Sequence, residues 1–315
     1  MEFKVSKTDI EQAHERINPF IHRTPILTCQ SIDKMVGASL YFKCENFQKI
    51  GAFKARGGLN AVFGTPEEER KKGFVTHSSG NHAQALAMAA QMAGVPAYIA
   101  MPRTAPEVKK KAVVGYGAEV YLCEPTQASR EETCAQIQEK TGAQFVSPYN
   151  DYRVITGQAT CAKELIEDQS DLDIIIAPVG GGGLLAGTAL SAQYMNPKIT
   201  VYAGEPDGAK DTYISMQKGV LTRVDQPKSI ADGLLAAMGD KNFEIIRELV
   251  KEVFVVTDEE IVNAMRIIWE RMKIIIEPSC AVPFAAILKN KSVFEGKKIG
   301  VILTGGNVDL EKLSF

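Results

Sequence analysis

The sequence predicts an α/β fold in two lobes, each built on parallel strands joined by crossover helices. Three observations predict it. Short apolar runs alternate with helical segments along most of the chain, the pattern of strand–helix units in a parallel sheet. Runs such as "DIIIAPV" (173–179) are apolar nearly throughout rather than alternating, as strands covered on both faces must be. Strand–helix units crowd between about 73 and 147, with no long linker on either side. Any domain boundary is then a chain crossing between compact lobes, with residues 73–147 as the smaller and residues 1–72 with 148–315 as the larger.

In order, "GFVTHSS" (73–79) reads as a strand and the Ala-rich "HAQALAMAAQMAG" (82–94) as its helix. "PAYIAMP" is a strand, "PEVKKKAVVGYG" a helix, "AEVYLCE" a strand, "SREETCAQIQEKTG" a helix, and "AQFVSPY" closes the small lobe as a strand. "DIIIAPV", "ITVYAGE" (199–205) and "KIGVILTGG" (298–306) are further strands, each beside a helical segment. Open α/β sheets bind ligands beyond the carboxyl ends of their strands. Three strands here end in glycine- or serine-rich turns, "HSSGNH", "PVGGGG" and "LTGGN", and these are expected to converge on one site.

Composition narrows the partners. The 315 residues are 45% hydrophobic with a net charge of −2, which suits a globular chain and argues against nucleic acid or an anionic membrane surface as partner. No apolar run is long enough to span a bilayer. The N-terminal segment is too polar for a signal peptide, so a cytoplasmic location is expected. The six cysteines fall in no metal-ligand spacing and are expected to be reduced, mostly buried thiols. The four histidines are too scattered for a histidine-rich metal centre.

Four stretches carry chemistry. In "PVGGGGLLAG" (178–187) four glycines stand between a buried strand and a helix. Such a run exposes main-chain N–H groups to an anion at a helix N-terminus; a ligand-free tight turn is the plain alternative. Gly181, Gly183 and Ala186 also satisfy G-x-G-x-x-A, with Glu205 near the end of the next strand, the layout of a dinucleotide site. In "HSSGNHAQALA" (77–87) the hydroxyls, amide and free N–H groups of Ser78, Ser79, Gly80, Asn81 and His82 suit a carboxylate, or cap a helix. In "LTGGNVD" (303–309) Thr304 ends a strand and could meet a ring nitrogen, or simply end a turn. Finally "GAFKARGG" (51–58) sets Lys54 among small residues. A nicotinamide enzyme gives no reason for that lysine. An amine that bonds carbonyls once its pKa is lowered does. A phosphate cradle, a carboxylate turn and an amine nucleophile together suit pyridoxal 5′-phosphate.

"GAFKARGGLNAV", "THSSGNHAQALA", "PVGGGGLLAG", "IADGL", "ERMKIIIEPS" and "LTGGNVDL" resemble, in order and spacing, the serine racemase / serine–threonine dehydratase family of fold type II pyridoxal phosphate enzymes. The resemblance runs from about residue 5 to 310. It implies a three-layer α/β/α large domain, a smaller parallel-sheet domain and a homodimer. It implies that Lys54 carries the cofactor with Phe53 beside the ring and that Asn81 bonds the 3′ oxygen. Gly180, Gly181, Gly182, Gly183 and Leu184 would hold the phosphate, Thr304 would face the pyridine nitrogen, and Gly233 and Glu277 would line the pocket. The turn Ser78–His82 would grip the substrate carboxylate, with Ser79 as acid–base partner opposite Lys54 and Arg130 on the substrate side. "GEPDGAKD" matches the family's divalent cation site: Glu205, the Ala209 carbonyl and Asp211 would hold Mg²⁺, or Ca²⁺ or Mn²⁺. The implied substrates are serine and threonine. The runner-up is threo-3-hydroxyaspartate, whose second carboxylate needs a cation from Arg130, Arg153 or His82. No site for a nucleotide effector is legible.

Overall fold

The computed structural model describes residues 3–105 and 107–308; Asp309 and Leu310 of the last motif lie outside them. Ten strands are present among the described residues: β1 (Ile26–Leu27), β2 (Ser39–Cys44), β3 (Phe74–His77), β4 (Ala97–Pro102), β5 (Glu119–Cys123), β6 (Gln144–Phe145), β7 (Ile174–Pro178), β8 (Thr200–Pro206), β9 (Val250–Val256) and β10 (Lys298–Leu303). They form a six-stranded sheet, ordered β1-β2-β10-β7-β8-β9, and a four-stranded sheet, ordered β5-β4-β3-β6. All pairings are parallel except the edge pair β1–β2.

The continuous apolar strands are covered on both faces. Along β7, Ile174 and Ile176 enter one core with the helices Asp258–Met272 and Pro278–Lys289. Ile175 and Ala177 enter another with the helices Tyr152–Asp168, Gly183–Met195 and Asp240–Leu249. Alternate side chains of a strand point to opposite faces, so this split makes a helix–sheet–helix sandwich. The small sheet repeats it: Phe74 and Ile99 join one cluster, Val75 and Ala100 another. No helix among the described residues is long and apolar enough to cross a membrane.

Both sheets reverse their strand order where the interesting turns lie. In the large sheet the reversal falls between the neighbours β7 and β10, which lead into "GGGG" and "TGGN". In the small sheet it falls at β3, which leads into "SSGN". Such reversals open a crevice beyond the strand ends. The last predicted strand of the small lobe is shorter than the pattern suggests. β6 is two residues long, and the chain leaves the sheet at Ser147–Pro148, because proline has no N–H for the ladder. The helix Lys54–Phe63 packs between the helices Asn81–Ala93 and Tyr152–Asp168, so the lysine sits between the two sheets. Five of the six cysteines are buried and none is paired.

Candidate active site

Lys54 opens its helix, and the residues before it are stitched to the end of β10. Phe53 N donates to Thr304 O (3.0 Å), Gly306 N donates to Gly51 O (3.0 Å), and Ala52 pairs with Gly305 in an antiparallel bridge. Ile50 stands at φ 59, a left-handed conformation that costs a β-branched residue roughly 1–2 kcal/mol. Its carbonyl accepts from Asn307 Nδ2 (2.7 Å). Lys54 Nζ then donates to Pro148 O (2.8 Å) and lies 5.0 Å from the centre of the Phe53 ring. Burial pulls its pKa from 10.5 down to about 8, with the negative charge of Glu277 opposing. A fraction of Lys54 is thus neutral and nucleophilic near neutral pH, as an amine that bonds a carbonyl requires.

The residue after Pro148 reaches the glycine run. A Cβ on Gly181 would lie 2.3 Å from Tyr149 Cγ, and Gly182 adopts φ +95, so the turn tolerates no side chain. Close packing therefore explains part of the run, but not its amides. Among the described residues, the N–H groups of Gly180, Gly181, Gly182, Gly183 and Leu184 reach no protein acceptor, whereas Ala186 N already bonds Gly182 O (2.8 Å). A row of free N–H groups at a helix N-terminus offers an anion what a phosphate needs.

The third turn closes the ring of contacts. Asn81 Nδ2 donates to Glu277 Oε1 (3.1 Å), Asn307 Nδ2 donates to Asn81 Oδ1 (2.9 Å), and Glu277 N donates to Gly305 O (3.0 Å). Desolvation, with the charge of Asp232, pushes Glu277 up to about 7. Gly233 N bonds Ser279 Oγ (3.0 Å), two residues from Glu277. Ser78 Oγ accepts from Gly80 N (3.3 Å), and Ser79 is half-buried in the same turn. Thr304 Oγ1 is buried beside the Cys280 thiol and bonds no nitrogen or oxygen among the described residues. A thiol is a weak partner, so this hydroxyl retains capacity for a ligand atom. A desolvated amine, free amides and this hydroxyl together fit pyridoxal phosphate.

Some expectations need correction. His82 is fully buried with Nε2 against Val146 O (3.4 Å), and desolvation holds its pKa near 3, so it supplies no positive charge. Arg153 is committed elsewhere: it donates to Asp151 (2.7 Å), Thr65 (3.1 Å), Gln144 (3.0 Å) and Phe145 O (3.3 Å). Arg130 remains. Its Nε is buried without a partner, and its charge helps hold the pKa of His77 down, after desolvation. The dinucleotide layout also fails. Glu205 is fully buried, its oxygens turned to the main-chain N–H groups of Thr212 (2.9 Å) and Tyr213 (2.8 Å), so it is not exposed where a ribose would lie.

Glu205 and Asp211 do form a buried acidic pair. Asp211 Oδ2 accepts from Met238 N (2.7 Å). Desolvation raises both pKa values, that of Glu205 to about 8, and the Asp211 charge adds to the rise. Ala209 is buried between them in sequence. Oxygen donors whose charge burial disfavours are compatible with a hard cation, which would restore the ionised form.

Pro148, Tyr149, Ser279 and Asn307 were not singled out from the sequence. Asn307 lies inside the quoted "LTGGN", and an asparagine after two glycines was a usable signal. The other three carry none, since their roles depend on contacts across the fold.

Fold and site together define a two-sheet α/β enzyme of fold type II. The chain belongs to the pyridoxal-phosphate dependent enzyme family, whose model matches residues 17–305. It is 52% identical over 307 residues to a beta-hydroxyaspartate dehydratase of Paracoccus denitrificans (strain Pd 1222), covering 98% of each chain. It is 49% identical over 314 residues to a serine racemase of Dictyostelium discoideum, covering 98% of this chain and 97% of that one. Among solved structures it superposes on maize serine racemase with a TM-score of 0.96 at 44% identity, over 98% of this chain and 95% of that one.

Proposed function

We propose that this protein is a racemase and ammonia-lyase of hydroxy amino acids, with serine as its central substrate. Its products would be D-serine, and pyruvate with ammonia; threonine would give 2-oxobutanoate. The observation that carries the reading is the buried Lys54 amine, held near a pKa of 8, facing a site whose cofactor-side partner at Thr304 is a neutral hydroxyl. Pyridoxal phosphate, when bound, supplies an electron sink conjugated to the substrate Cα. The chain's own residues do the rest. The amides of Gly180–Leu184 hold the phosphate, and Asn81 bonds the 3′ oxygen. Gly233 and Glu277 line the pocket. A hydroxyl at Thr304 stabilises a charged ring nitrogen less than a carboxylate would, so the sink is weak. That favours loss of a β-hydroxyl over transamination.

Lys54 takes the Cα proton from one face, and Ser79 exchanges a proton on the other. Two acid–base groups flanking one carbon permit inversion. The Ser78–His82 turn binds the substrate carboxylate through its hydroxyls and amides. Glu205, Asp211 and the Ala209 carbonyl take Mg²⁺, with Ca²⁺ or Mn²⁺ as substitutes. Residues 73–147 form a separate small domain, as their run of strand–helix units suggests, and the protein is cytoplasmic; the active unit is a homodimer, which extends the family resemblance.

A second reading has its own support. The unpartnered Arg130 Nε suits the distal carboxylate of threo-3-hydroxyaspartate, and the relative named for that substrate class is 52% identical. One experiment separates the readings. Purified enzyme is incubated with L-serine, D-serine, L-threonine and L-threo-3-hydroxyaspartate, with and without Mg²⁺, and keto acid and enantiomer are measured. Turnover of hydroxyaspartate alone selects the second reading; turnover of none sinks both. Ser79→Ala should lose racemisation and keep L-serine dehydration, and equal loss of both rates would contradict the two-face assignment.

A further inference from the structure

We infer that Asn307 is a positioning residue for Asn81, fixing which end of that amide faces the cofactor. The inference deepens the proposed function and rests on its reading of Asn81. An asparagine side chain presents a donor at one end and an acceptor at the other. The donor end of Asn81 is taken by the Glu277 carboxylate, at 3.1 Å to Oε1 and 3.4 Å to Oε2. Its acceptor end receives Asn307 Nδ2 at 2.9 Å. With both ends held, the amide has one orientation, and the remaining N–H of Nδ2 is the one free to reach a ligand oxygen.

Asn307 is itself placed by the strap that enters Lys54. The same Nδ2 donates to the carbonyl of the left-handed Ile50 at 2.7 Å. The Asn307 side chain also lies so close to Gly51 that a Cβ there would meet Oδ1 at 2.8 Å. Gly306 N is bonded to Gly51 O, so the backbone around Asn307 is pinned. One amide thus spans two separate pieces of the site, the loop before Lys54 and the turn after β3. Neither piece is near it in sequence.

Aspartate is the diagnostic substitution. Asn307→Asp keeps the size and puts an acceptor where the donor was, so it repels Asn81 Oδ1, while a full flip would set that oxygen against the Glu277 carboxylate; the amide is displaced from its present orientation either way. Asn307→Ala only releases the hold. Holoenzyme carrying Asn81→Ala, Asn307→Ala, Asn307→Asp and the double alanine change is examined for three things: the visible band of the cofactor–lysine adduct, the pH midpoint of that band, and kcat with KM for L-serine. Asn307→Asp should move band and midpoint in the direction Asn81→Ala moves them. Its kcat should fall about fivefold to tenfold, the effect of one misplaced hydrogen bond, with KM changed less. The double alanine variant should be no worse than Asn81→Ala alone, because coupled residues are not additive. Full additivity, or an unmoved band in Asn307→Asp where Asn81→Ala moves it, overturns the inference. An unmoved band in Asn81→Ala instead overturns the assignment of Asn81 to the cofactor. Loss of thermal stability with an unmoved band marks a merely structural residue and also overturns the inference.

Discussion

Lys54 and Arg56 stand two residues apart in one helical turn and meet opposite surroundings. Arg56 is fully buried and fully paired. It bonds Glu45 through Nε (2.7 Å) and Nη2 (2.8 Å), Glu164 through Nη1 and Nη2 (both 2.8 Å), and Thr160 Oγ1 (3.2 Å). Lys43 completes the group, donating to Glu164 (2.7 Å) and to Thr24 O (2.9 Å), while Thr24 donates to Glu45 (2.6 Å). His14 reaches Glu164 from the partly buried side (3.2 Å). Against the desolvation that burial imposes, the bonds from His14 and Arg56 hold Glu164 well below the usual carboxylate range. On the Lys54 side the polar groups are incomplete: Thr304 Oγ1 has only the Cys280 thiol beside it, His82 Nδ1 is buried without a partner, and five amides of the glycine turn reach no acceptor among the described residues.

The contrast teaches how to read buried polar groups. A network whose every member is bonded specifies geometry, because any displacement strands a charge in a low dielectric. A group left unbonded in a folded protein needs an explanation, and where several face one turn a ligand supplies it. The helix of Lys54 and Arg56 uses both sides at once. Its rear turn is anchored by ions, and its front turn presents an amine.

The comparison can be broken in four ways. The largest effect belongs to Lys54→Ala, which should lower turnover by about 10²–10⁴-fold and remove the visible cofactor band. The apoprotein should stay folded by circular dichroism, and a retained band would show that another lysine carries the cofactor. Next comes Arg56→Met, which leaves Glu45 with no cation among the described residues and Glu164 with only Lys43 and His14, and should cost roughly 3–5 kcal/mol of stability by denaturant unfolding; a loss under 1 kcal/mol would mean that the rear network anchors little.

A smaller effect concerns pH. With Lys54 at about 8, the rate of cofactor capture by apoenzyme should rise about tenfold per pH unit below 8 and flatten above it. An ordinary lysine would keep rising toward 10.5. Glu277 raises the Lys54 pKa, so Glu277→Gln should move the midpoint lower, as stopped-flow mixing at stepped pH would reveal. The same shift sets a stability trend. The unfolded chain holds the Lys54 proton between about 8 and 10.5 and the folded one does not, so the Lys54 contribution to apoprotein stability rises with pH across that window. The smallest effect is Thr304→Ala, which should change apoprotein stability by less than about 1 kcal/mol because only a weak contact with the Cys280 thiol is lost, while weakening cofactor retention. A penalty as large as that of Arg56→Met would erase the distinction between the two sides.

Much of this was legible in the chain and some of it was not. The four glycines, the serine-rich turn and the lysine motif are local, and each announces itself because its chemistry sits within a few residues. Strands such as Ile174–Pro178 are legible because burial on both faces writes a continuous apolar run. β2 is harder to read, since Lys43 looks like a solvent residue until Glu164 is known to lie 2.7 Å from it. Arg56 offered nothing beyond its place in "GAFKARGG", because its partner Glu164 is 108 positions away in sequence. His82 read as part of a binding turn, yet its ring points into the body of the small sheet, toward Val146 O.

The sequence by itself determined the parallel α/β architecture, the positions of the three turns and the reactive amine, since periodicity and glycine content act through neighbours along the chain. Only the tertiary structure decided which ions are neutralised, which hydroxyls and amides remain open, and which asparagine steadies another. Hydrogen bonding and desolvation depend on distance in space, and folding brings together residues that the linear order keeps far apart.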